Sequence, residues 1–428
     1  MTNLRCSFAI NFSFAAVLLA GFVVCSAAVD AADWTEFRGP TGQGHADVSN
    51  LATTWSETEN VTWKVEVPGN GWSSPVVGGQ RIYLTAAVPI EDSEKQQSLK
   101  VLCLNADDGS EIWNVEVFQQ TDEEKVQIHR KNSHASPTPI LEGDRLYVHF
   151  GPHGTACLNL EGNVLWRQTE LTYRPVHGNG GSPALAGDVM VICCDGGDAR
   201  FVVGLNKNDG TEIWRTEREF SPSRGFSFST PTIIEAGGRQ QAICPGSGGV
   251  FSYDPKTGEQ LWRVQYGEGY SVVPRPVVGH GMVYVCSGFG DGQLFAIDPT
   301  GSGDVTETHV KWQVKKGVPK SPSILLVGEE IYMGDDGGRG TCLDALTGEV
   351  YWEQRLGRAF SASPTFADGH IFFQTEDGET VVLKPGIEYD EVARNKLGED
   401  SRTFASFSFV QNAILLRSES HLYRIEKQ

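Results

Sequence analysis

Between residues 321 and 355 the chain alternates short apolar runs with glycine-bearing turns: SPSILLV, EIYMG, GTCLDA and EVYWEQR. Each run is too short for a helix and is rich in β-branched and aromatic residues, which predicts four antiparallel strands in succession. The same rhythm recurs. An acid or amide, a glycine turn and a tryptophan close the units NADDGSEIW (105–113), NKNDGTEIW (206–214), DPKTGEQLW (254–262) and DALTGEVYW (344–352). Aligned on tryptophan, the markers are Trp63, Trp113, Trp166, Trp214, Trp262, Trp312 and Trp352, spaced by 50, 53, 48, 48, 50 and 40 residues. A second marker, Ser, Thr or Arg before proline, opens each unit: SSPVV at 73, ASPTPI at 135, GSPAL at 181, STPTII at 229, PRPVV at 274, KSPSIL at 320 and ASPTF at 362.

Four strands per unit at this period is the pattern of a propeller blade. Seven complete units can be counted. An eighth, from FASFSFV at 404, has three strands and lacks the proline. Its missing strand is available at the other end of the chain, where NVTWKVEV (60–67) carries a tryptophan without a blade before it. The expected fold is therefore all-β: an eight-bladed β-propeller over 61–428, closed by an N-terminal strand that completes the C-terminal blade. A seven-bladed ring is the alternative count. The repeated motif then has a structural role. The acid or amide caps the turn, Gly109, Gly210, Gly258 and Gly348 take positive φ, and the tryptophan covers the seam to the next blade.

The combination D-x-x-[TD]-G-x-x-x-W with an upstream S-P strand resembles the pyrroloquinoline-quinone (PQQ) repeat. The resemblance covers residues 33–428, and the leader DWTEFRGPTGQG (33–44) resembles the start of secreted bacterial propellers of this group. The superfamily includes quinoprotein alcohol dehydrogenases and BamB-like scaffold proteins of the periplasm. The repeat implies the fold; it does not imply the cofactor after which it is named.

Ahead of a leader at 32–60, residues 1–31 read as a secretory signal: Arg5, an apolar run from Phe8 to Val24, then small residues suited to cleavage after Ala28, Ala31 or Ala32. An uncleaved membrane anchor is the alternative. The mature chain is expected to be periplasmic or secreted and monomeric, with membrane association only if this segment is retained. A formal charge of −19 argues against a nucleic-acid partner, since phosphate binding needs a basic footprint.

Chemistry is sparse. The chain has no C-x-x-C-H, H-E-x-x-H, G-x-S-x-G or P-loop motif. Cys103, Cys157 and Cys342 fall where other units carry Gly204, Ser252 and Ala296, which marks a slot for small residues. The adjacent Cys193 and Cys194 invite comparison with the vicinal disulfide that the quinoprotein resemblance implies, although neighbours on a strand face opposite ways. The acidic turns DGGD (195–198), GDG (290–292), GDDGG (334–338) and EDG (376–378) suit hairpins better than a calcium loop.

The loops after each tryptophan do not repeat. HRKNSH (129–134), TYRPVHGNGG (172–181), SPSRGFSFS (221–229), GEGYSVV (267–273), KKGVPK (315–320) and LGRAFSA (356–362) gather at one mouth of the channel and are enriched in Lys and Arg. They predict a funnel of His134, His177, Arg224, Tyr270, Lys320 and Arg358 with walls from Trp72, Phe226 and Phe360. Such a funnel suits a protein, peptide or anionic polymer partner. The functional expectation is a non-enzymatic, BamB-like binding or scaffold protein without a cofactor. A PQQ-dependent dehydrogenase, holding PQQ with calcium, is the alternative.

Overall fold

A computed structural model describes residues 1–2, 33–90, 93–121, 127–219, 223–290, 292–398 and 402–428. The chain divides into Met1–Asp30 and Ala31–Gln428. The expected signal at 1–31 lies outside the described residues except for Met1 and Thr2. Among the described residues no helix is long and apolar enough to cross a membrane.

The second unit is a ring of eight antiparallel sheets. Blades one to seven occupy 76–120, 140–168, 184–217, 232–265, 277–314, 325–355 and 365–396, each with its strands in sequence order from the axis outward. Blade eight takes its three inner strands from 408–426, and Val61–Glu66 pairs antiparallel with His421–Glu426 as its outer strand. The two ends of the chain thus share one sheet, which removes the open edges that a linear array would leave. Two short strands are added. Gly303–Asp304 runs parallel to the outer strand of blade four, and His45–Ala46 parallel to the inner strand of blade seven.

The core lies between neighbouring blades. Leu99, Val101 and Cys103 of blade one, for example, meet Leu146, Val148 and Leu158 of blade two. The tryptophans join these layers through hydrogen bonds as well as area. Trp63 Nε1 donates to Ala106 O (3.1 Å), Trp113 to Leu160 (2.9 Å), Trp166 to Lys207 (3.0 Å), Trp214 to Pro255 (2.9 Å), Trp312 to Ala345 (3.2 Å) and Trp352 to Gly386 (3.3 Å). In each case the acceptor is a turn carbonyl of the next blade. Trp262 departs from this pattern. It donates to Gln241 Oε1 within its own blade (2.6 Å), and Gln241 Nε2 passes the link on to Pro299 O (2.9 Å).

The small-residue slot has a direct cause. Cys103, Cys157, Gly204, Ser252, Ala296 and Cys342 each pair in register with a tryptophan on the outer strand. At Gly204 an added Cβ would lie 2.3 Å from the Trp214 ring, so that pair tolerates no side chain. The turn glycines 109, 210, 258 and 348 have φ of 74–77°, and each sits against the tryptophan of the preceding blade.

The leader belongs to the ring. Trp34 O and Thr35 O accept from Val77 N and Leu141 N, Gln43 Oε1 from Val278 N, and Gly44 O from Phe366 N, all at 2.8 Å. The donors are the middle residues of the inner strands of blades one, two, five and seven. The leader therefore lies across the axis against the middle of those strands. Arg38, fully buried, donates there to Ile324 O (2.8 Å), Gln43 O (2.8 Å) and Pro364 O (3.4 Å).

Candidate functional site

At the loop end of the axis lies a cavity of about 320 Å³. Its geometry begins with the residue that precedes the inner strand of each blade. Proline holds that residue extended in most units, so its backbone N–H and side chain project sideways to the neighbouring blade. Ser74 N donates to Thr138 Oγ1 (3.0 Å), Thr138 N to Ser182 Oγ (2.9 Å) and Ser182 N to Thr230 Oγ1 (3.0 Å). After a break the chain resumes. Arg275 N donates to Ser323 Oγ, Ser323 N to Ser363 Oγ and Ser363 N to Ser406 Oγ, each at 2.9 Å. The marker read from sequence as the start of a strand is also the source of a ring of hydroxyls facing the axis.

Above the ring the walls are aromatic. Phe226 packs edge-on against His177 (5.4 Å) and Tyr270 (5.7 Å), and Trp72 against Phe404 (4.7 Å). Phe228, Phe289 and the leader's Phe37 complete the apolar lining. Cations lie on these rings: Arg224 over Tyr270 (4.7 Å, with a hydrogen bond to its hydroxyl), Lys320 over Phe289 (5.4 Å) and Arg402 over Phe404 (5.0 Å).

The segment 127–134 spans the mouth. On one side His129 N and Asn132 Nδ2 donate to His177 O (3.2 and 2.9 Å); on the other Arg402 Nη2 donates to Arg130 O (2.8 Å). Lys131 reaches blades six and seven, where its ammonium lies 2.6 Å from Glu376 Oε1 and 3.7 Å from Asp336 Oδ1. Those carboxylates are further engaged by the hydroxyls of Ser361 (2.6 Å) and Ser321 (2.7 Å). Burial lowers the pKa of His129, and the neighbouring charges of His177, Arg130 and Lys131 lower it further.

Five of the nine residues expected in the funnel line this cavity: Trp72, His177, Arg224, Phe226 and Tyr270. Lys320 lines an adjacent groove with Lys315 and Asp335 and touches the cavity through Phe289. The other three lie elsewhere. His134 is half-buried beside His153, its pKa pushed down to about 4 chiefly by burial. Arg358 is exposed on the loop between blades six and seven, outside the lining. Phe360 is buried in the core against Phe373 (5.8 Å), filling the space above Gly334, where blades one, three and four carry Thr85, Cys193 and Cys244. That glycine was the sequence signal for its inward placement. Lys131, Asn132, the hydroxyl ring, Phe37 and Phe404 were not anticipated; the Ser or Thr before proline at 138, 182, 230 and 363 was the signal for the ring.

Two candidates from the cysteine and acidic-turn readings also resolve. Cys193 and Cys194 sit in unbroken register opposite Val202 and Phe201, so their thiols face different blade interfaces, and both are free. Asp195 does more than turn a hairpin. It is buried 3.1 Å from Arg218, whose Nη2 donates to Cys193 Sγ (3.3 Å). Among the described residues no group of three or more His, Cys, Asp or Glu is arranged to hold a metal ion.

An eight-bladed ring of PQQ-type repeats with an axial, aromatic-walled cavity defines the class. The sequence model of the family described as "Outer membrane protein assembly factor BamB" matches residues 44–169, 198–341 and 308–386, and the chain belongs to that family. Curated relatives of that name come from Burkholderia pseudomallei (29% identical over 174 residues, 40% of this chain) and Nitrosomonas eutropha (29% over 161 residues, 36% of this chain). The chain spans 41% and 34% of the length of those relatives. Among solved structures, BamB from Moraxella catarrhalis superposes with a TM-score of 0.61 at 14% identity, covering 86% of this chain and 97% of that one. A europium-containing methanol dehydrogenase superposes with a TM-score of 0.64 at 11% identity, covering 90% and 89%. At these identities the superpositions show a shared fold.

Proposed function

We propose that this chain is an extracytoplasmic, non-enzymatic binding or scaffold protein that holds an extended segment of a partner protein at the loop-side mouth of its ring. The observation that carries the reading is the pairing of aromatic walls with cations on one rigid cavity. Arg224 lies on Tyr270 and has no carboxylate partner among the described residues. Such a surface takes up an acidic or aromatic peptide segment at low ordering cost, because the propeller positions the loops beforehand. The names of the curated relatives point to a protein of outer-membrane assembly as the partner. A role in outer-membrane assembly, as those names state it for the relatives, agrees with the signal-like residues 1–31.

The donor set supports binding over quinone-dependent oxidation. Calcium asks for several oxygen ligands with free carboxylates among them. Among the described residues no carboxylate lines the cavity, and the two that Lys131 reaches beside it, Asp336 and Glu376, are occupied by Lys131, Ser321 and Ser361. The remaining polar lining is hydroxyl, amide, imidazole and cation, which does not fit a calcium ion carrying PQQ.

The test is fluorescence anisotropy of a labelled ten-residue peptide alternating Asp and Phe, against the chain and its R224A/Y270A variant. Loss of a charge-assisted contact and a stacked ring predicts ~10-fold or greater weakening. Equal affinity of both proteins would remove the mouth as the binding site.

A further inference from the structure

The hydroxyl ring at the cavity floor carries an inference of its own. Thr138, Ser182, Thr230, Ser323, Ser363 and Ser406 each accept one backbone N–H from the neighbouring blade. All six line the cavity, and none is more than 4% exposed. Among the described residues none of their hydroxyls donates to a protein acceptor. Each oxygen already receives one backbone hydrogen bond, and its O–H is left to donate into the cavity. Six buried donors around one axis, without protein acceptors, form a site for an oxygen that can accept several hydrogen bonds at once.

The surrounding charge has the matching sign. In blade five the ring hydroxyl is replaced by Arg275, whose guanidinium is taken up by Glu36 Oε1 (3.1 Å), Phe37 O (2.6 Å) and Pro231 O (3.2 Å). Arg38 is bound by the carbonyls of Ile324 and Pro364, the residues that follow ring members Ser323 and Ser363. Arg417 donates to Ser73 O (3.0 Å), Ser73 Oγ (2.6 Å) and Thr85 O (3.0 Å), next to Ser74. Arg38 and Arg417 are fully buried and, among the described residues, have no carboxylate partner. Burial pulls both down to about 9, which still leaves them charged at neutral pH. Three guanidinium groups thus lie beside the ring residues, and among the described residues the one carboxylate paired with them is Glu36. A buried excess of positive charge is relieved by an anion nearby.

We infer that the cavity floor is an axial anion site that takes a carboxylate carried on an aromatic or apolar body. The ring hydroxyls donate to the carboxylate oxygens, and Phe226, Phe228, Tyr270 and Phe289 enclose the body above it. A volume of about 320 Å³ suits a small aromatic acid or the last residues of a peptide chain. The inference rests on the reading of this cavity as a binding site and names the chemistry that the site selects.

Isothermal titration of the full mature chain tests it with four probes: 3-phenylpropionate and 3-phenylpropanamide, and the tripeptide Ala-Ala-Leu as free acid and as amide. At least one acid should bind ~10-fold or more tightly than its amide, since one charge-assisted contact set separates them. Preference confined to the tripeptide identifies a chain end as the natural source; preference confined to the small acid identifies a metabolite-sized ligand. The variant S182A/S363A should weaken the preferred acid ~10-fold while leaving its amide unchanged. The comparison of acid and amide in the unaltered protein does not depend on that variant folding. Equal binding of acid and amide would refute the anion site while leaving the cavity a binding site. Binding of none of the four would refute the anion site, and the anisotropy test above then judges the mouth separately.

Discussion

Replacing Trp214 by Phe should destabilise the ring clearly more than replacing Trp312 by Phe, although both tryptophans occupy the same place in the repeat. Each exchange removes an indole N–H and a similar amount of ring. The difference lies in what happens to the acceptor. Among the described residues Pro255 O accepts only from Trp214 (2.9 Å), and Pro255 is buried, so W214F leaves that carbonyl without a donor. Ala345 O accepts from Trp312 (3.2 Å) and also from the Tyr284 hydroxyl (3.0 Å), so W312F leaves it satisfied. A buried carbonyl stripped of its donor costs about 1–3 kcal/mol, whereas losing one of two donors costs about 0.5–1.5 kcal/mol. W214F should therefore exceed W312F by about 1–2 kcal/mol, read from urea midpoints by circular dichroism at constant m. Adding Y284F to W312F removes the second donor. The double variant should be destabilised beyond the sum of the single variants by about 1 kcal/mol, because only the loss of both donors strips their shared acceptor. If W312F costs as much as W214F and its combination with Y284F is additive, the tryptophans contribute area alone and the hydrogen-bonded seam carries no stability.

Two further outcomes follow from buried and bridging groups. His149 is buried with Nδ1 bonded to Thr155 Oγ1 (2.8 Å), and burial pushes its pKa down to about 3. The unfolded chain takes up this proton below about pH 6.5 and the folded chain does not, so stability is complete above that pH and falls as pH drops toward 3. At pH 5 the loss from this group is about 2 kcal/mol. Urea midpoints at pH 7.5 and 5.0 should converge in H149N by that amount; an unchanged difference would assign the acid sensitivity elsewhere. Lys131→Met removes the bridge to Glu376 and Asp336. Such a partly exposed pair contributes at most about 1 kcal/mol, so global stability should barely move. Amide exchange of residues 129–132 should nevertheless quicken ~10-fold as that segment loses its anchor on blades six and seven. Unchanged exchange would mean that His177 and Arg402 hold the segment without Lys131.

The repeat made the architecture legible because a propeller is built from local periodicities. Tryptophan spacing set the number of blades, turn glycines set the hairpins, and the unpaired Trp63 strand revealed the closure. Even the small residues opposite each tryptophan could be recognised as a slot before their partner was known. The mouth was only half legible. Arg224, Tyr270, Phe226, His177 and Trp72 could be placed there because they lie in loops that the repeat brings to one end. Whether a loop side chain turns toward the axis depends on its neighbours in other blades. Phe360 turned into the core because Gly334 left room for it, and His134 settled beside His153.

What the sequence determined by itself was therefore the ring, its number of blades and the end at which the loops gather. All of these follow from patterns that repeat within one unit or between adjacent units. The tertiary structure alone decided that Lys131, on the loop between blades one and two, reaches Glu376 in blade seven. It also decided that the leader packs across the axis against the inner strands of blades one, two, five and seven, and that Ser and Thr residues 40 or more positions apart join in one ring of donors. Those contacts are made across the axis or around it, between residues whose nearness depends on the closure of the whole ring. No local pattern records that distance.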